Sequence, residues 1–195
     1  AATIFGAGHE TTSHALTWTL YLLAQNRPVL AKLQAEVDRV LAGRLPTFDD
    51  LPNLPYTRMV FEESMRLYPP APIIPRYITQ PTTVDGYALP QGAISLLSVW
   101  NIHRHPAFWD NPLVFEPERF SEERSKERHR MAYMPFGGGQ RMCIGNNFAQ
   151  IEGQLLLALI VQRAAFDLIA DHVVEKDFAV TLRPKDGLPM IYTPR

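Results

Sequence analysis

Pro135-Phe136-Gly137-Gly138-Gly139-Gln140-Arg141-Met142-Cys143-Ile144-Gly145 holds the one cysteine of the chain. Three glycines in a row leave the backbone free to take positive φ and to pass close to a flat ligand. Arg141, two residues before Cys143, places a permanent positive charge beside the sulfur. An apolar stretch that reads as a helix starts just after it, so a thiolate here would face free helix N–H groups and the positive end of the dipole. These features suit a thiolate better than a thiol. A free cysteine taken alone is most often a small buried hydrophobe, and the residue by itself leaves both readings open.

The spaced pattern Phe136-x-x-Gly139-x-Arg141-x-Cys143-x-Gly145 resembles the haem-thiolate signature of the cytochrome P-450 monooxygenases, with a match at every fixed position. The resemblance implies haem b as cofactor, with Cys143 as axial ligand of its iron. A thiolate in that place pushes electron density toward the metal and favours O–O cleavage. By the same resemblance Pro135, Phe136, Gly137, Ile144, Gly145 and Ala149 line the haem. Phe136 would pack near the sulfur, and Arg141 would pair with a haem propionate.

The chain has 195 residues, 46% of them hydrophobic, enough to bury one sizeable core. Lys and Arg number 19 and Asp and Glu 20, for a net charge of −1, so charge gives no argument for a nucleic-acid partner or an anionic membrane. One cysteine forbids an internal disulfide, which fits a reducing compartment, and the expected location is cytoplasmic. The longest apolar run, Leu155 to Val161, is far too short to span a bilayer. The opening Ala1-Ala2-Thr3-Ile4 shows no signal peptide and no initiator methionine. It reads as a start inside a longer protein, whose preceding part could hold an anchor.

No repeat or linker divides the chain, so residues 1–195 are expected to form part of one domain. Apolar residues at helical spacing (Ile4, Leu16, Leu20, Leu23) predict a helix over 1–25. A second helix begins with Pro28 in its first turn, carries Val29, Leu30, Leu33, Val37, Val40 and Leu41, and stops at Gly43. A third runs from Pro55 to Leu67 and ends at Pro69-Pro70. Short β-like pieces follow: Ile73-Ile74, Tyr77-Ile78, Thr82–Val84 and Ile94–Val99, with further ones at Phe178–Leu182 and Met190–Tyr192. Ser121–Arg130 is mostly charged and reads as a solvated loop. Residues 144–163 predict a helix apolar almost all round, expected inside the protein. The fold class is mainly α with small β-sheets, which in the resembling family corresponds to the C-terminal portion of the fold.

Ala7-Gly8-His9-Glu10-Thr11-Thr12 is a poor helix interior, with two β-branched hydroxyls and a glycine. Its threonines can bond back to a carbonyl and bend the helix, and its glycine allows close approach to the backbone. Taken alone, the hexapeptide is better explained as a tolerated kink in a surface helix. It resembles the P-450 oxygen-binding helix motif at all positions. That resemblance places Ala7 and Gly8 over the haem and gives Glu10 and Thr11 the delivery of protons during oxygen activation, a step that requires a donor within about 3 Å.

Glu63 and Arg66, at i and i+3, share one helix face, and an exposed pair of this kind is worth only about 0.2–0.5 kcal/mol. In the family the corresponding pair is buried with the arginine of a downstream Pro-x-Arg, here Arg119 in Pro117-Glu118-Arg119-Phe120. Arg76 resembles the second propionate-binding arginine. His103-Arg104-His105 has no further ligands at metal-binding spacing and reads as loop histidines. The resemblance implies an enzyme that inserts one atom of O₂ into a small apolar organic substrate. Electrons would come ultimately from NAD(P)H through a separate ferredoxin or flavoprotein reductase. It also implies that upstream helices of the fold are absent from these 195 residues, and that the stretch alone is inactive. Alternatives are a non-catalytic haem-binding remnant, a peroxide-using or rearranging member of the same fold, and a cysteine nucleophile working with His103. The last lacks any base near the cysteine in sequence.

Overall fold

The computed structural model describes residues 2–195, with side chains from residue 4 on. The first three long helices fall where the spacing predicts. They are α1 (Ala2–Gln25), α2 (Arg27–Leu41) and α3 (Pro55–Leu67). Pro28 sits in the first turn of α2 and Pro55 opens α3, where a missing N–H costs nothing. Helix α2 stops one residue earlier than the glycine: Ala42 already takes the left-handed conformation (φ 47°) and returns its N–H to Asp38 O.

The strands come in four antiparallel pairs. They are β1 (Ile73–Tyr77), β2 (Thr82–Val84), β3 (Tyr87–Leu89) and β4 (Ile94–Ser98), with β1 paired to β4 and β2 to β3. Two short helices follow, α4 (Val99–Ile102) and α5 (Glu122–Ser125), then α6 (Asn146–Arg163). The chain continues as β5 (Ala164–Leu168), β6 (Lys176–Phe178), β7 (Leu182–Pro184) and β8 (Met190–Pro194), with β5 paired to β8 and β6 to β7. The stretch Phe178–Leu182, expected as one strand, is a hairpin. Phe178 and Leu182 face each other across its turn, in register.

The core gathers Leu16 and Leu23 of α1, Leu33, Val37 and Leu41 of α2, Val60, Phe61 and Met65 of α3, and Leu157 and Val161 of α6. Each such side chain contributes roughly 1.5–3 kcal/mol when removed from water. Gly153 sets how closely α6 meets α3, because a Cβ there would lie 2.2 Å from Phe61 Cζ. Trp18, fully buried, donates its indole N–H to Leu182 O (3.0 Å) and ties α1 to β7. Helix α6 is enclosed on one side only: Gly153, Leu157, Ala158 and Val161 are buried, whereas Phe148 and Leu156 are exposed. Its apolar circumference therefore exceeds what the described residues cover. No helix among the described residues is long and apolar enough to cross a membrane.

Ser121–Arg130 departs from a purely solvated loop. Arg128 lies over the rings of Trp109 and Phe120, at 4.4 and 4.6 Å from their centroids, and donates to Arg119 O. Its long apolar stem and planar head make it a cover for those aromatics.

Candidate active site

The cysteine loop is built by two backbone bonds. Gly137 N–H donates to Met134 O (3.0 Å), and Cys143 N–H donates back to Phe136 O (2.9 Å). That closure needs the left-handed conformation at Gly137 (φ 73°) and Gly139 (φ 70°), which residues with a Cβ rarely adopt. Pro135 is buried and Phe136 packs, half-buried, against the main core, so one end of the loop is anchored. The other end runs into α6, whose first turn is closed by Ala149 N–H on Gly145 O (2.8 Å). Between the anchors, Cys143 is exposed with a free thiol, and Ile144 is 103% exposed. Arg141 is exposed and joins no ion pair among the described residues. The guanidinium of Arg76, half-buried on β1, donates to Pro75 O (2.9 Å) and joins no ion pair among the described residues.

On α1 the hydroxyl of Thr11 donates to Ala7 O (2.8 Å) and that of Thr12 approaches Gly8 O at 3.4 Å. The helix stays continuous through this motif, so the threonines bond back without breaking it. A Cβ at Gly8 would meet nothing within 4 Å, which leaves open space over that turn. Glu10 is held from outside the helix: Thr181, just ahead of β7, donates its hydroxyl to Glu10 Oε1 (2.9 Å). Among the described residues no hydrogen bond or ion pair joins Ala7–Thr12 to the cysteine loop. Nothing in the local sequence at Thr181 announces that contact, because its partner lies 171 residues away.

Glu63, Arg66 and Arg119 come together and are buried. Arg66 grips Glu63 with two parallel bonds, Nε–H to Oε2 (2.6 Å) and Nη2–H to Oε1 (2.8 Å), with both side chains 0% exposed. Arg119 Nε stands 3.5 Å from Glu63 Oε1, and its Nη2 pairs with Glu116 (2.9 Å). The Glu116 N–H also donates to Glu63 Oε1 (2.9 Å). Burial pushes the Glu63 carboxyl up from its ordinary value, against the pull of Arg66. Arg66 Nη1 reaches two backbone carbonyls, His103 O (2.8 Å) and Pro112 O (2.7 Å).

His103, expected as a loop histidine, is fully buried. Its Nδ1 lies 3.2 Å from Arg66 O, and its Nε2 accepts the Met134 N–H (2.8 Å). Both nitrogens are engaged with backbone, which removes His103 as a base for Cys143. Burial, with Arg66 and Arg104 nearby, holds its conjugate acid down to about 3 from 6.5. Below pH 6.5 the unfolded chain takes up a proton that the folded one refuses, so this group lowers stability as pH falls from 6.5 toward 3. The loss approaches about 1.4 kcal/mol per pH unit. Glu63, raised, works in the opposite sense, so the comparison is between wild type and His103→Gln. Acid unfolding of the variant should be less steep over that window. Equal steepness would show that His103 titrates normally.

An exposed thiol between glycine turns, two arginines outside any ion pair among the described residues, and exposed apolar side chains at Ile144 and Phe148 fit a flat, apolar, anionic cofactor such as haem. Among the described residues no group of three or more His, Cys, Asp or Glu side chains could hold a metal ion by itself.

Comparison with known proteins agrees. The family model described as Cytochrome P450 matches residues 1–188. Cyclooctatin synthase of Streptomyces melanosporofaciens is 47% identical over 161 residues, covering 83% of this chain and 35% of that protein. Carotene epsilon-monooxygenase, chloroplastic, of Arabidopsis thaliana is 40% identical over 188 residues, covering 94% of this chain and 35% of that protein. The crystal structure of the cytochrome P450DA heme domain superposes with a TM-score of 0.93 at 37% identity, over 99% of this chain and 43% of that one. The chain thus spans well under half the length of these relatives. With a family model over most of its residues and a shared backbone, the chain belongs to the cytochrome P450 family.

Proposed function

We propose that this chain is the oxygen-activating and thiolate-bearing portion of a haem-dependent monooxygenase that acts on a small apolar organic substrate. The observation that carries the reading is the exposed Cys143 thiol at the tip of a loop anchored at both ends, ahead of α6, in a chain of this family. Bound haem would supply the activation of O₂ with two electrons, received from a separate electron-transfer protein. Cys143 would hold the metal, and Arg141 and Arg76, free of ion pairs, would take the two propionates. The relatives' length and the uncovered apolar side chains Ile4, Phe5, Phe148 and Leu156 support activity within a longer chain, which would cover them.

Residues of α1 then manage protons. The Thr11 hydroxyl donates to Ala7 O and keeps its lone pairs free, so it can hold a water or hydroxyl group in line above Gly8. Glu10, fixed by Thr181, would replenish the proton. The test is Thr11→Ala in the length-completed enzyme. Haem, substrate and CO binding should persist, because the side chain touches neither the cysteine loop nor the core. Product per electron pair should fall, by up to the 10²–10⁴-fold typical of a lost positioned proton donor, with hydrogen peroxide rising in its place. An unchanged product yield would remove Thr11 from the chemistry and favour a peroxide-using or rearranging enzyme.

A further inference from the structure

His103 links the buried ion pair to the segment running into the cysteine loop, through its backbone on one side and its ring on the other. Its carbonyl accepts from Arg66 Nη1, its Nδ1 faces Arg66 O, and its Nε2 accepts the N–H of Met134, the residue before Pro135. Its ring also stacks on Tyr133, with centroids 5.2 Å apart and planes 24° from parallel. Arg104, next in the chain, donates to Leu67 O. His103 and Arg104 thereby satisfy two of the carbonyls that α3 leaves open at its C-terminal end.

The tautomer follows from the partners. A carbonyl only accepts, so Nδ1 carries the proton, and an amide N–H only donates, so Nε2 is bare. Neither the other tautomer nor the doubly protonated ring can keep the Met134 bond. Met134 itself is buried, so its N–H has no water to fall back on. Glu63 and Arg119 make no hydrogen bond to residues 133–145 among the described residues. The hydrogen-bonded link from the Arg66 guanidinium to Met134 passes through His103, entering at its carbonyl and leaving at Nε2 of its ring, while the Tyr133 hydroxyl donates separately to Glu62 O (3.1 Å).

We propose that His103 is a positioning residue for the cysteine ligand: by accepting the Met134 N–H it fixes where the segment entering the loop stands against the end of α3, and hence where the Cys143 sulfur stands. The inference rests on Cys143 being the haem ligand, and its test separates the two.

Two variants of the length-completed, haem-loaded protein divide the roles of the ring. His103→Gln places an acceptor at the position of Nε2 and can keep the Met134 bond. His103→Asn reaches only the level of Nδ1, keeping the Arg66 O bond and orphaning the Met134 N–H. In the Asn variant, hydrogen exchange at Met134 should quicken by about tenfold, equivalent to about 1.4 kcal/mol of local opening. Part of the red-shifted Soret band of the reduced CO complex should move to the unshifted position. The Gln variant should resemble wild type in both readouts. Equal behaviour of the Gln and Asn variants would overturn the proposal, whatever Cys143 does. A red-shifted band that survived Cys143→Ser would instead overturn the ligand assignment and leave the Met134 exchange result standing. If neither His103 variant folds, wild type decides. Nitrogen-15 spectra of labelled histidine in the diamagnetic CO complex should show His103 protonated at Nδ1 and bare at Nε2, with Met134 slow to exchange. A proton on Nε2 would refute it.

Discussion

Arg66→Ala is expected to abolish soluble, haem-loaded protein. The guanidinium carries two bonds to Glu63 and three to backbone carbonyls, those of His103, Pro112 and Val114. All of these lie in an interior where Arg66 and Glu63 are 0% exposed. Removing the arginine strands a carboxylate whose remaining cation, Arg119, stands 3.5 Å away and is already paired with Glu116. Breaking a buried pair in this one-sided way costs roughly 3–5 kcal/mol, a large share of the 5–15 kcal/mol that holds a typical domain together. Arg66→Lys keeps the charge and loses the fork, so it should fall between wild type and alanine. Haem absorbance per mole of soluble protein, with a thermal unfolding curve, reads the outcome. Normal haem content in Arg66→Ala would show that the pair is dispensable and that the carbonyls find other donors.

The reach of the sequence is clearest where both ends of an element carry local marks. Helix α3 reads from Pro55 to Leu67, just before Pro69-Pro70, and its observed bounds are Pro55 and Leu67. Strand β3 lies outside the expected β-like pieces, although the sequence carries its mark. Asp85-Gly86, with φ of 48° and 81°, is a two-residue turn of positive-φ residues joining β2 to β3. Strand β5 had no such mark, because Ala164 follows Arg163 of α6 without a glycine or proline between them. The turn of the β6–β7 hairpin reads as strand in sequence because Val180 and Thr181 are β-prone and no glycine or proline marks the reversal. Only the pairing of Phe178 with Leu182 reveals the reversal.

Much the same division runs through the site. Phe136, Gly139, Arg141, Cys143 and Gly145 lie within ten residues, so a pattern finds them. His103, Thr181 and Gly153 act across 31, 171 and some 90 residues, on Met134, Glu10 and Phe61. No periodicity reports such pairs. A histidine between Ile102 and Arg104 looks like surface chain until the helix end and the loop that enclose it are placed. Pairing across the fold, not composition, makes it neutral and buried.

Cys143→Ser is expected to leave the fold intact and eliminate thiolate-type haem binding. What holds the loop is backbone: Cys143 N–H on Phe136 O, Gly137 N–H on Met134 O, and the first turn of α6. Serine can make each of those bonds. The replaced sulfur is exposed and belongs to no disulfide, so no packing is lost with it, and the change in stability should stay within about 0.5 kcal/mol. The chemistry changes far more. A thiol can ionise near neutral pH and is a soft, electron-rich ligand, whereas an alcohol stays protonated and binds ferric iron poorly. The red-shifted Soret band of the reduced CO complex should therefore vanish in the length-completed variant while its thermal transition stays near that of wild type. Loss of both together would mean that the cysteine had a structural part that its exposure argues against. A band unchanged by the substitution would mean that another residue ligates the iron, and the role of this loop in the proposed chemistry would fall with it.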